Sequence, residues 1–178
     1  RYQEQASVRI HNKIVLLPCD DPETSNFTKY FAQNFEILGL KKLISTSYAL
    51  NSKRHKKGHQ LSFLEENDKN FDKSITNTNG KIFTLTKDKN NDGKIDIEDL
   101  EWDYLEGDGD FNSDEITKLR DVSDFIITNP PFSMFKEFYN WATIEGKYFI
   151  IISNKNAVTY KDVFPMIMNN QVWTGKTK

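Results

Sequence analysis

The sequence predicts a doubly wound α/β domain with a mostly parallel sheet, for three reasons. Continuous apolar runs occur at 14–18, 125–128 and 148–153, as in parallel strands that are covered on both faces. Helical patterns lie between strand-like runs, which indicates βαβ units. The length of 178 residues and the 37% hydrophobic content fit one domain with a polar insertion. We therefore expect a Rossmann-like domain over 1–178, truncated relative to a whole protein, with an insertion at about 51–99.

The composition excludes several classes of protein. A single cysteine rules out an internal disulfide, and no apolar run resembles a membrane span or a signal peptide. We therefore expect a cytoplasmic protein that does not enter a membrane. The 24 Lys and Arg against 26 Asp and Glu leave a net charge of −2, so a contact with DNA requires a local basic patch. The run Lys53–His59 is the best candidate, although such a run is also typical of a solvated loop. The sequence indicates no oligomeric state.

The first predicted unit is a strand, an acidic turn and a helix. Residues 13–18 form the apolar strand, and Asp21 is a candidate N-cap with Pro22 at the first helical position. Apolar residues then recur on one helical face until Gly39: Phe27, Tyr30, Phe31, Phe35 and Leu38. A second strand follows at 42–47 and completes a βαβ unit.

The segment 51–99 is rich in Asn, Asp, Lys, Gly and Ser. Its strand-like pieces, 59–64 and 81–86, could pair as a hairpin within the insertion. The loop 88–99 matches an EF-hand calcium loop, with Asp99 where a longer Glu normally chelates the ion. The matching ligand and turn positions are Asp88, Asn90, Asp92, Gly93 and Asp96. Because the segment before the loop is strand-like rather than helical, we expect a polar hairpin end and no metal ion.

The fourth predicted strand, 125–128, ends in Asn129-Pro130-Pro131-Phe132. Two prolines fix φ and supply no N–H, so the carbonyls of Asn129 and Pro130 remain free to accept hydrogen bonds. With the Asn129 amide, they could receive the amino group of a flat ring on which Phe132 stacks. A plain strand-to-helix turn is the structural alternative.

The remaining elements complete the predicted sheet. A third strand at 101–106 precedes a helix that begins near Ser113, and Ser133 is expected to cap the helix after the fourth strand. A fifth strand at 148–153 is followed by 154–156, an amide-rich loop that either shapes the site or only ends the strand. Val172 and Trp173 could begin a sixth strand.

Asn129-Pro130-Pro131-Phe132 resembles the Asn-Pro-Pro-Phe/Tyr motif of amino-group S-adenosylmethionine-dependent methyltransferases, which flip a base out of the duplex. Four separated blocks also resemble, in one order, the EcoRI-type adenine-specific DNA methyltransferase family. These blocks are 18–46, 107–111, 129–138 and 154–160.

The resemblance implies an N6-adenine DNA methyltransferase of restriction-modification or phage type. Its implied cofactor is S-adenosyl-L-methionine and its implied partner is DNA containing adenine. Carboxylates after the first strand could pair with the positive groups of the donor, and Asp110 would accept from the donor's adenine amino group. Helix capping by Asp21 and a Gly-Asp turn at Asp110 are the alternatives. The residues implied at the donor are Cys19, Asp20, Asp21, Pro22, Asp110 and Phe111.

The sequence departs from methyltransferases at large in two places. No glycine follows Asp21-Pro22, so close backbone approach to the donor must be arranged elsewhere. The second strand ends in Ser47-Tyr48 without an acidic residue, which leaves the ribose contacts unassigned.

Two other classes of function stay open from the sequence alone. RNA or a protein glutamine amide could be the methyl acceptor, because each suits the same group of acceptor atoms. A non-catalytic calcium- or nucleic-acid-binding module could share the fold. Donor binding separates the module from the enzymes, and the methyl acceptor separates the enzymes from each other.

Overall fold

The structure is a computed structural model that describes residues 10–22, 25–49, 71–72, 74–144 and 146–175. The described strands are β1 (Ile14–Leu17), β2 (Lys42–Ser47), β3 (Lys81–Leu85), β4 (Glu101–Tyr104), β5 (Phe125–Thr128) and β6 (Tyr148–Ile151). The α-helices are α1 (Asn26–Gln33), α2 (Phe35–Leu38), α3 (Asp114–Val122), α4 (Phe135–Ala142) and α5 (Phe164–Met168). Short 3₁₀ segments occur at Ile97–Asp99, Phe132–Met134 and Lys155–Thr159.

The six strands form one sheet in the order β4-β3-β2-β1-β5-β6. Strands β2, β1, β5 and β6 pair in parallel, whereas β3 runs antiparallel to both β2 and β4. The prediction of a doubly wound, mostly parallel sheet is therefore confirmed. Strands β2, β3 and β4 lie on one side of β1 in the sheet, and β5 and β6 lie on the other side. Strands β1 and β5 thus meet at a topological switch point, where α/β proteins bind ligands.

Alternating side chains of the central strands fill two cores, one on each face of the sheet. Val15 and Leu17 face one core with Phe31 and Phe35 of the helices between β1 and β2. Leu16 and Ile126 face the other core with residues of α3 and α4. Burial on both faces explains the continuous apolar runs in the sequence.

The helix after β1 begins and ends at different residues from those predicted. Ser25, not Asp21, is the N-cap of α1, because its hydroxyl accepts hydrogen bonds from the backbone N–H groups of Phe27 and Thr28. The predicted single helix is two helices separated at Asn34. Gly39 ends the second helix with a φ of 61°, as expected for a C-terminal glycine.

The sequence analysis correctly predicted β3 as a strand, but the pairing partner that it suggested was wrong. It pairs with β2 and β4 inside the main sheet, and Leu85 is fully buried in the first core. The suggested hairpin partner, 59–64, lies outside the described residues, as does the basic run Lys53–His59. The domain call of 1–178 with an insertion at about 51–99 stays a prediction, although 81–85 belongs to the sheet.

Two smaller expectations were also wrong. Ser133 does not cap α4, because it lies inside the 3₁₀ segment and the helix begins after Met134. Val172 and Trp173 form no strand, and the Trp173 side chain is exposed. The described helices include none that is long and apolar enough to cross a membrane.

Gly109 lets the loop after β4 pack against the end of β2. Its φ is 86°, and a Cβ atom there would lie 2.5 Å from the Ser47 carbonyl oxygen. The adjoining backbone is held by a 2.8 Å hydrogen bond from Ala49 N–H to the Asp108 carbonyl. A side chain at this position would therefore separate two chain segments that lie beside the candidate site.

We predict that Gly109→Ala lowers the free energy of unfolding by about 2 kcal/mol or more, because alanine resists this backbone conformation and collides with Ser47. Gly107→Ala is the matched control, since a Cβ at Gly107 meets no atom within 4 Å. Urea denaturation of both variants measures the difference. Equal stability of the two variants would contradict the packing described here.

Candidate active site

Five strands bring their carboxyl ends to one edge of the sheet. Four of them are parallel, and β4 points the same way because it is antiparallel to β3. This edge collects the segments that follow the strands, including 19–22 after β1, 108–111 after β4 and 129–132 after β5. The sequence-predicted residues therefore share an edge, and those after β1 and β5 share the switch point.

Asp20 lies buried at this switch point, with 6% of its surface exposed. Its Oδ1 accepts a 2.8 Å hydrogen bond from the Ser25 hydroxyl, and its Oδ2 is hydrogen-bonded to the Thr128 hydroxyl. Burial raises the pKa of Asp20 above the usual range for an aspartate, although Thr128, Ser25 and the backbone N–H of Asn129 oppose that rise. Asp20 thus connects the ends of β1 and β5.

The backbone of Asp20 is fixed from β2 as well. Its carbonyl oxygen accepts hydrogen bonds from the hydroxyls of Thr28 and Ser45, both fully buried. Neighbouring Asp21 is partly exposed, and its carbonyl accepts a 2.7 Å bond from Ser25 N–H. The two consecutive aspartates therefore differ: Asp20 points into the protein and Asp21 remains partly accessible.

The Asn-Pro-Pro-Phe segment begins at the buried Thr128 and rises to the surface. Asn129 is exposed, Pro130 is buried, and Phe132 is 60% exposed. The Pro131 carbonyl accepts a 3.0 Å bond from Met134 N–H and is occupied by the turn. Within the described part of the chain, neither the Asn129 side-chain amide nor the Pro130 carbonyl has a hydrogen-bond partner. That these two groups act as acceptors for a ligand stays a prediction.

Cys19 and Tyr48 lie together behind the acidic turn. Cys19 has a φ of 66°, and burial raises the pKa of its thiol to about 12. Burial also raises the pKa of Tyr48, with the Cys19 thiol and the Asp110 carboxylate as further causes. Both groups are therefore neutral at physiological pH, and Cys19 is no reactive thiolate.

The loop after β4 separates two neighbouring residues that the resemblance assigns to the donor. Asp110 is partly exposed, and one of its carboxylate oxygens accepts a 2.9 Å bond from Asn112 N–H. Phe111 is fully buried, and its ring contacts Phe138 and Trp141 in the second core. The Phe111 side chain therefore anchors the loop, while Asp110 keeps capacity to accept from a ligand.

The structure adds residues that the sequence analysis missed. Ser25 and Thr128 hold the Asp20 carboxylate, and Tyr48 lies beside Cys19 at the end of β2. The sequence carried one signal for Thr128: it is a hydroxyl residue at the end of a buried apolar strand, and buried polar groups have hydrogen-bond partners.

Comparison with known proteins identifies the family. The family model described as adenine-specific methyltransferase EcoRI matches residues 2–178. The chain belongs to this family. It is 41% identical over 164 residues to the Type II methyltransferase M.EcoRI of Escherichia coli, an alignment that covers 92% of this chain and 45% of that protein. No solved structure matches the chain.

Two mycoplasma proteins are further relatives. The Type II methyltransferase M.MpnI of Mycoplasma pneumoniae is 32% identical over 165 residues, covering 93% of this chain and 40% of that protein. The Type II methyltransferase M.MgeORF184P of Mycoplasma genitalium is 31% identical over 177 residues, covering 99% and 43%. The chain thus spans less than half the length of each relative.

Membership in the EcoRI methyltransferase family confirms the resemblance found in the sequence. The fold shows where the resembling blocks lie. Three of the four resembling blocks, 107–111, 129–138 and 154–160, begin where the chain leaves the carboxyl edge. The block 18–46 contains the acidic turn and runs through the two helices into β2. The family-like residues therefore surround the switch point.

The calcium-like loop 88–99 lies apart from these blocks, between β3 and β4. Asp88 accepts hydrogen bonds from the N–H groups of Asn91 and Gly93 at 2.6 and 2.9 Å. Asp99 accepts from Lys89, Asn90 and Asp96 at 2.8, 3.2 and 3.0 Å. Among the described residues, no three His, Cys, Asp or Glu side chains form a group that could hold a metal ion. The loop's own N–H groups thus occupy the carboxylates.

We predict that Asp99→Ala lowers the free energy of unfolding by about 1–3 kcal/mol, since three backbone N–H groups lose their acceptor. Asp92→Ala is the control, because Asp92 accepts one such bond, from Lys94.

The hydrogen bonds from Asp96 and Lys89 lower the pKa of Asp99. The contribution of the ionised Asp99 to the free energy of unfolding is therefore complete above the unfolded-state pKa of about 3.9. It is lost as the pH falls through the lower folded-state pKa. Urea denaturation of both variants at several pH values measures these effects. Equal losses of stability in Asp99→Ala and Asp92→Ala would show that Asp99 does not hold the loop.

Proposed function

We propose that this chain forms the catalytic part of an S-adenosylmethionine-dependent methyltransferase that modifies the N6 amino group of adenine in DNA. The observation that supports this most directly is that the Asn129 amide and the Pro130 carbonyl, beside the switch point, have no hydrogen-bond partner among the described residues. The relatives are named Type II methyltransferases, which fits a restriction-modification role. A DNA substrate also fits activity in the cytoplasm.

The residues at the carboxyl edge fit the methyl donor. The partly exposed Asp110 suits the donor's adenine amino group, and the partly exposed Asp21 suits its positive groups. When bound, S-adenosylmethionine supplies a methyl group on a positively charged sulfur.

The chain's own residues orient the acceptor and stabilise its developing charge. The Asn129 amide oxygen and the Pro130 carbonyl oxygen accept the two N–H bonds of the adenine amino group, and the exposed Phe132 ring stacks on the base. This arrangement aims the nitrogen at the methyl group and stabilises the positive charge that arises there. As the C–N bond forms, the bond from carbon to sulfur breaks and its electron pair remains on sulfur. The nitrogen then releases one proton to solvent.

The purified protein tests this proposal with radiolabelled S-adenosylmethionine and three acceptors. These are an adenine-containing DNA duplex, the same duplex with every adenine already methylated at N6, and an RNA of matching sequence. We expect label in the first acceptor only. Donor binding without any transfer would indicate a binding module, and label in the RNA would assign a different acceptor.

We predict that Asn129→Ala abolishes transfer while the donor still binds normally, because the lost acceptor acts on the amino group in the transition state. Asn140→Ala is the matched control, since Asn140 is an exposed amide on α4. Single-turnover rates and calorimetry measure the two properties separately. Substantial turnover by the Asn129 variant would show that the acceptor assignment is wrong.

We predict the opposite pattern for Asp110→Ala, which should weaken donor binding by about 1–3 kcal/mol because the donor's amino group loses its acceptor. Asp103→Ala is the control, because Asp103 is an exposed carboxylate on β4. Calorimetric titration with S-adenosylmethionine measures both variants. Unchanged affinity in the Asp110 variant would leave that residue with only its turn-forming role.

A further inference from the structure

Asp20 is one of the carboxylates that the sequence analysis assigned to the positive groups of the donor. Both of its carboxylate oxygens are engaged by the protein, one with Ser25 and the other with Thr128. In the described residues no lysine or arginine pairs with this carboxyl group. A positive group of the donor would have to lose its water to reach a carboxyl group that is buried in the protein, which is costly.

The hydrogen bonds around Asp20 can be satisfied without a negative charge. Thr128 has one hydroxyl hydrogen but contacts two oxygens, the Pro18 carbonyl and Asp20 Oδ2. The Pro18 carbonyl can only accept, so Thr128 can donate to Pro18 and accept from a protonated Asp20. Ser25 accepts from two N–H groups and keeps its own hydrogen for Asp20 Oδ1. The raised pKa of Asp20 agrees with this arrangement.

Thr128 transmits this arrangement to the acceptor residue that follows it. The Thr128 side chain is fully buried, and its carbonyl accepts a 3.1 Å bond from Ile152 N–H of the chain after β6. The Asn129 N–H also faces the Asp20 carboxyl group. The backbone that leads into Asn129 is therefore held on two sides of β5, by the bond from Ile152 to the Thr128 carbonyl and by the bonds of the Thr128 hydroxyl to Pro18 and Asp20.

We propose that Asp20 is a positioning residue, which fixes Thr128 and thereby Asn129, and that it does not pair with the positive groups of the donor. This inference rests on the proposed function for the role of Asn129. It distinguishes the two consecutive aspartates, because Asp20 is buried whereas Asp21 is partly exposed at the carboxyl edge. It also means that the methyl-donor side and the base side of the site are joined by one buried hydrogen-bond chain.

Single-turnover rates and donor dissociation constants of four variants test the proposal. Asp20→Asn keeps the shape and the donor and acceptor atoms of the protonated carboxyl group, so the donor dissociation constant should stay within about threefold of the wild-type value. Thr128→Val removes the link and should lower the rate about tenfold or more through misplacement of Asn129, with donor affinity kept. Thr128→Ser restores the hydroxyl and should restore the rate. Thr46→Val is the matched control, because the buried Thr46 hydroxyl has no partner among the described residues.

A tenfold loss of donor affinity in Asp20→Asn would overturn the proposal and return Asp20 to the donor. A normal rate in Thr128→Val would overturn it as well. Hydrogen exchange at the Asn129 backbone N–H gives a readout that needs no activity: exchange should accelerate in Thr128→Val and stay slow in Asp20→Asn and Thr46→Val. If the wild type transfers no methyl group, the proposed function fails, while the exchange rates still decide whether Asp20 and Thr128 fix Asn129.

Discussion

The parallel contact between β1 and β5 is the constraint on which the rest of this molecule depends. Only two residue pairs define its register, Val15 with Phe125 and Leu16 with Ile126. The strands therefore rely on contacts beyond their ends. Asp124 accepts from Ile14 N–H and from the Lys13 ammonium at one end, while Thr128 contacts Pro18 and Asp20 at the other. These polar contacts hold two chain segments that lie more than a hundred residues apart in sequence.

The two ends of this contact serve different purposes because their surroundings differ. Lys13 and Asp124 are partly exposed, so water screens the ion pair and its contribution to stability is small. The Thr128 end is buried, and hydrogen bonds there have few competing water molecules. A displaced hydroxyl would leave buried oxygen atoms without partners, which is costly. The geometry of the candidate site is therefore defined more sharply than that of the opposite edge.

Sequence reasoning recovered those features that depend on local pattern. Apolar runs identified the buried strands, whereas the acceptor role expected of Asn129 and Pro130 stays a prediction. It failed where partners are chosen over long distances. The alternating pattern of Lys81–Leu85 indicates a strand, yet nothing local to it specifies pairing with β2 and β4. Capping failed for a local reason: Asp21 and Ser25 are both suitable N-caps, and the helix begins after the later of the two.

The same distinction explains the assignments within the donor site. A sequence motif gives the order of residues, and two consecutive aspartates after a strand look equivalent in it. Asp20 and Asp21 follow a turn in which Cys19 has a φ of 66°, and the structure buries the first aspartate and leaves the second partly exposed. Phe111 and Asp110 show the same division, with the ring in the core and the carboxylate at the edge. In each pair, the inward side chain is held by the protein interior and the outward side chain is partly exposed at the carboxyl edge, so the two members are expected to differ in function.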